Sequence, residues 1–192
     1  MNYQRAISEL RGAVLMAAVS IAWYLWAAAA VPDSWMRVLV LLLISTSIVV
    51  FSIGRRLLVT LRRGRPGPDG ANPLRLRTYR AAVLFEAVAI LIAVLLLGGR
   101  PAAARYLPTV VALIVGVHFL GLVAAFGSRI YFVVCAAMCL FGLAALGVPS
   151  PAMRAAIVGI GCGVVLDTTS LIRIRSVRIA YGRTRGADAS DT

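Results

Sequence analysis

The chain has 192 residues, 61% of them apolar, with a mean hydropathy of +0.91, which excludes a soluble globular domain. Its formal charge of +13 rests on twenty basic residues, all arginine. These stand almost entirely at the ends of apolar runs, so they read as topology signals and not as a nucleic-acid surface.

Six apolar stretches fill the chain, at residues 12–31, 38–54, 81–98, 107–126, 130–148 and 152–172. A hydrocarbon core needs about 20 predominantly apolar residues per helical crossing. The expected fold is therefore an all-α integral membrane protein, a six-transmembrane-helix bundle in a single domain over residues 1–178. Arg5, Arg11 and the Ala27–Ala30 run give the first stretch some likeness to a signal peptide. It exceeds the ~7–15 residues of a signal core and contains Trp and Tyr, so it is expected to remain as a span. The second span is polar in its middle, with Ser45, Thr46, Ser47 and Ser52. Ser45, Ser52 and Arg56 share a face and are candidate polar support for a path, although such hydroxyls more often bond their own helix.

Residues 55–80 form a basic segment that carries Arg55, Arg56, Arg62, Arg63 and Arg65. It begins as a continuation of the second span and breaks at 64–73, where Pro66, Pro68 and Pro73 alternate with glycines, so a mobile loop is expected. Its arginines should attract anionic lipid headgroups, or dock an acidic partner. The final segment, 179–192, is short and polar and is expected to be flexible.

Sixteen arginines fall on the side of the termini and four (Arg37, Arg100, Arg105 and Arg154) on the other, which places both ends in the cytoplasm. Trp23, Trp26, Trp35 and Tyr106 lie near the outer boundary, and Tyr79 and Tyr131 near the inner one. The all-Arg, Ala-rich and Gly-rich usage suggests a GC-rich bacterial genome, so the expected location is the bacterial inner (plasma) membrane. Each outer loop pairs a proline with an arginine (Pro32/Arg37, Pro101/Arg105, Pro151/Arg154), which fits three tandem two-helix units or chance spacing.

Three ionisable residues lie inside spans: Glu86, His118 and Asp167. Charged groups in a bilayer are costly and usually face the protein interior. Each of the three sits on a stripe of small residues, such as Ala155, Gly159, Gly163 and Asp167, the kind of surface that lets helices pack closely. All three are expected to point inward. Together they would form a proton or cation relay. Alternatively, Glu86 and Asp167 would pair with nearby arginines, among them Arg55, Arg56, Arg80 and Arg173. The Gly159/Gly163 stripe could equally serve a homo-oligomer.

Cys135, Cys139 and Cys162 all lie within spans and read as packing residues. Together with His118 they fall at similar depth, but no metal site or cofactor is assigned, and a single histidine argues against bis-histidine haem ligation. Hydrolase, P-loop and Cys-x-x-Cys signatures are absent from the sequence.

Span four, with Pro108, Gly116, His118, Phe119, Leu122 and Phe126, together with Glu86, resembles a group of small uncharacterised bacterial six-span membrane proteins. Their shared segment is similar to Val-Gly-x-His-Phe-x-x-Leu. Gly121 departs from it, since proline is expected there. The resemblance implies an architecture and no activity. The expected function is that of a polytopic bacterial membrane protein of unassigned activity, with proton- or cation-linked transport or conduction as the sharper hypothesis. The alternative is a non-catalytic structural, assembly or regulatory subunit of a membrane complex. An enzyme is the less favoured class.

Overall fold

The computed structural model describes residues 3–31, 33–64 and 77–190. Their regular structure is helical: α1 (Tyr3–Ala30), α2 (Ser34–Gly64), α3 (Arg77–Gly98), the one-turn α4 (Pro101–Ala104), α5 (Leu107–Phe126), α6 (Ile130–Leu146) and α7 (Pro151–Ser190). Five of these are long and apolar enough to cross a membrane, and α6, at 17 residues, is apolar but shorter. The all-α expectation holds in that form.

Local chemistry sets the helix ends. Asp33 accepts a hydrogen bond of 3.0 Å from the Trp35 backbone N–H, capping the start of α2. Prolines open α4, α5 and α7, where a missing donor costs nothing. Gly127 ends α5 at φ +63°, and its N–H donates to the Val123 carbonyl at 2.8 Å. α7 runs on to Ser190, where the sequence read a flexible segment from residue 179. No proline follows Pro151, so no backbone donor is removed there. Arg65 and the broken part of the basic segment lie outside the described residues, as does the side chain of Arg63.

Short connections make neighbouring helices antiparallel. They pack in the order α3, α5, α6, α7, α1, α2, and α7 also touches α5 and α2. α7 is the core helix, with 61% of its apolar window buried, whereas α3 has only 6% buried and packs mainly on α5. The termini of α1, α2, α3, α5 and α6 nearest Arg11, Arg62, Arg80 and Arg129 gather with Arg173 of α7 at one end, termed the basic end.

The central seam joins α1 to α7. On α1 the residues Ala6, Leu10, Ala13, Ala17, Ser20, Tyr24, Ala27 and Val31 are all buried and recur at alternating steps of four and three. That is a 3.5-residue period, the pattern that keeps one face on a partner helix. On α7 the matching row is Gly159, Gly163, Leu166, Ser170, Arg173 and Val177. A Cβ on Gly159 would stand 2.6 Å from the Trp23 carbonyl oxygen, and one on Gly163 would enter the Tyr24 ring. Gly159 and Gly163 of the expected stripe therefore pack within the chain, against α1, and Ala155 is buried. The same logic brings α3 to α5, where a Cβ on Gly121 would lie 2.7 Å from that of Ala82. Glycine rather than proline at 121 admits α3.

Candidate functional site

The three intramembrane ionisable residues separate into two places. Asp167, buried on α7, accepts hydrogen bonds from three hydroxyls: Ser20 at 2.7 Å, Tyr24 at 3.2 Å and Ser47 at 2.6 Å. Ser20 and Ser47 also stand 3.2 Å apart. Asp167 thus ties α7 to α1 and α2 with no basic partner among the described residues. Of the arginines expected near it, Arg173 pairs with Glu9 of α1 at 2.8 Å. Its guanidinium lies 4.4 Å from the Tyr131 ring centroid.

Glu86 and His118 do meet. Glu86 Oε2 is 3.4 Å from His118 Nδ1, and the Ala82 carbonyl is 3.0 Å from the same nitrogen. A carbonyl only accepts, so Nδ1 is the protonated nitrogen and the neutral ring carries its lone pair on Nε2. Nε2 is therefore the ring nitrogen able to take up a proton, with Glu86 Oε2 3.4 Å from Nδ1 on the other side of the ring. The helical step from Ala82 to Glu86 puts both acceptors on the face of α3 that packs on α5.

This pair lies on the wall of a cavity of about 730 Å³ in the half of the bundle nearer the basic end. α1 contributes Leu15, Met16 and Val19, α3 contributes Val83, and α5 contributes Val115, Phe119 and Leu122. Phe119, Tyr131, Phe126 and Tyr79 form a run of aromatic contacts at centroid distances of 5.8–6.0 Å along its inner side. Arg11 and Arg62 border it. Leu166 lines this cavity, whereas its neighbour Asp167 does not.

The remaining expectations sort as follows. Ser45 is exposed and donates to the Leu41 carbonyl of its own helix at 2.9 Å. Ser52 is half-buried, and Arg55 and Arg56 are exposed. None of the four lines the cavity. Ser47, two residues from Ser45 and so nearly on the opposite face of the helix, reaches the carboxylate instead, because it alone of the central hydroxyls lies on the buried face. Among the described residues no group of three His, Cys, Asp or Glu is placed to hold a metal. Cys139 packs where a Cβ on Gly116 would come within 2.7 Å of its sulfur.

Sequence reasoning missed Ser20 and Tyr24, although their place in the 3.5-residue row of α1 marked them as buried. It also read Arg154 only as an outer-side charge. Arg154 is 2% exposed and donates to three carbonyls: Ala145 at 3.1 Å, Arg105 at 3.0 Å and Val148 at 2.6 Å. Its guanidinium also covers the Tyr106 ring at 4.1 Å. It satisfies carbonyls near the end of α6 and in two connections, locking the end of the bundle opposite the basic one.

No curated protein and no solved structure matches the chain. Residues 2–174 match a family of unknown function, and the chain belongs to that family, DUF7010.

Proposed function

We propose that the chain is a six-span protein of the bacterial plasma membrane, with both termini cytoplasmic, that conducts protons through the cavity at its basic end. The arginine distribution supports the orientation. In that orientation the cavity faces the cytoplasmic half of the bilayer, and the region that Arg154 locks faces outward. α6 crosses as the sixth span, its 17 residues lengthened by the flanking connections. Arg55 and Arg56, exposed on α2, lie against anionic headgroups.

The observation that carries the reading is the contact between Glu86 and His118 on the cavity wall. A carboxylate beside an imidazole with a free lone pair is a proton acceptor, and the cavity gives it access from one side. The three-member relay reduces to this pair, and Asp167 takes a structural part. The subunit alternative leaves both the pair and the cavity without a role.

Purified protein in liposomes loaded with a pH-sensitive dye tests this under an imposed potassium diffusion potential. Wild-type protein should acidify or alkalinise the lumen as the potential directs. Glu86→Gln and His118→Ala should abolish the signal, and Ser45→Ala should leave it intact. A wild-type signal equal to that of empty liposomes, or one unchanged in both variants, ends the reading.

A further inference from the structure

We infer that the cavity takes a single-chain anionic amphiphile from the adjoining membrane leaflet, its headgroup held by Arg11 and Arg62 and its chain laid along Leu15, Val115 and Phe119. This rests on the proposed membrane orientation and on the same cavity, but not on proton movement.

Four observations converge on it. The volume of about 730 Å³ falls within the ~300–1,000 Å³ of small-ligand sites. Apart from Glu86 and His118, the walls are apolar and aromatic for ~12 Å along α1, beyond Arg11 to Val19, and for ~16 Å along α5, from Val115 to Phe126. That is the shape of a chain site and not of a hydrophilic solute site. The side between α1 and α3 is open, because α1 packs on α7 and α2 while α3 packs on α5. Two lining residues, Leu15 of α1 and Val83 of α3, are 54% and 38% exposed, so an amphiphile can enter sideways without leaving the membrane.

Charge fixes the polarity of entry. Arg11 and Arg62 border the cavity, and neither forms an ion pair among the described residues. Arginine is the side chain best suited to carboxylate and phosphate oxygens. Glu86 stands about two turns deeper, ~10 Å beyond Tyr79 along α3. An anionic headgroup is therefore attracted at the mouth and repelled from the interior, whereas a cationic one would meet two guanidinium groups first.

The test uses the full chain in dodecyl maltoside and follows thermal unfolding against dodecyl phosphate, dodecyltrimethylammonium, dodecanol and inorganic phosphate. Dodecyl phosphate alone should raise the midpoint. Replacing Arg11 and Arg62 together by Gln should weaken its apparent affinity about 30-fold, as expected for two basic groups near a membrane surface. Filling the cavity by Val115→Trp should abolish the response with both arginines present. If that variant does not fold, Leu15→Trp at the exposed lip provides the same test. Glu86→Gln removes the repelling carboxylate and should keep or strengthen the response while abolishing the proton signal, so the two readings fail separately. Equal shifts with all three dodecyl compounds, an equal shift with inorganic phosphate, or an undiminished shift in the double arginine variant would overturn it.

Discussion

Asp167 and Arg154 use opposite solutions to the same problem, a charged group placed where water is scarce. Asp167 collects three hydroxyl donors from two other helices, and Arg154 spreads its donors over three carbonyls and a ring. Each arrangement replaces hydration with fixed dipoles and joins segments far apart in the chain. Interhelical hydrogen bonds in membranes average ~0.6 kcal/mol, so removing the three at Asp167 should cost about 2 kcal/mol. Asp167→Ala is expected to lower the unfolding midpoint measurably in detergent, and Ser47→Ala to do so by about a third as much. Ser45→Ala should change nothing, since its hydroxyl serves only its own helix. Equal effects of the two serine variants would remove Asp167 from its role as a tie.

The helices differ in how much they depend on close approach. The α1–α7 seam has no space at Gly159, where the nearest neighbour is the backbone oxygen of Trp23 and cannot swing aside. Gly159→Ala is expected to destabilise by ~1–3 kcal/mol through overpacking. Gly99→Ala, with nothing within 4 Å, should be neutral or slightly stabilising in the same thermal assay. α3 is at the other extreme. It is held by the Ala82–Gly121 approach, the His118 contact and the Tyr79–Phe126 edge contact, and it turns most of its apolar surface outward. Amide hydrogen exchange in detergent should therefore be faster in α3 than in the α1–α7 seam. Protection of α3 equal to that of α7 would contradict its peripheral position. Its loose attachment is also what lets the cavity open beside α1.

At the scale of the molecule, one closed end and one cavity-bearing end set a direction across the bilayer. The arginine asymmetry supports the cavity-bearing end as cytoplasmic. Periplasm-active reporter fusions should be active when joined after Gly99 or Val148 and inactive after Gly64 or Gly127. Activity after Gly127 would reverse α5, and inactivity after Val148 would remove α6 as a span. The bundle is not a closed ring: its helices run from α3 to α2 with α7 inside, so α1 and α3 face each other across open space.

The sequence determined on its own that the chain is helical and apolar, where its long helices lie, which end is rich in arginine and that Glu86, His118 and Asp167 fall within apolar helices. Hydropathy and helical period are local quantities, and each is readable within about twenty residues. The buried face of α1 was equally present in the order of its alanines, as a 3.5-residue row from Ala6 to Val31. Partner choice was not. Whether Asp167 would meet His118, Arg173 or Ser47 depends on which helices adjoin α7 and at what register, and residues 120 or more positions apart settle that only by packing. The tertiary structure alone separated Asp167 from Glu86 and His118. It also moved Arg154 from the surface to the interior, and it left a cavity between α1 and α3, because α7 fills its glycine row with α1 and leaves α3 to α5.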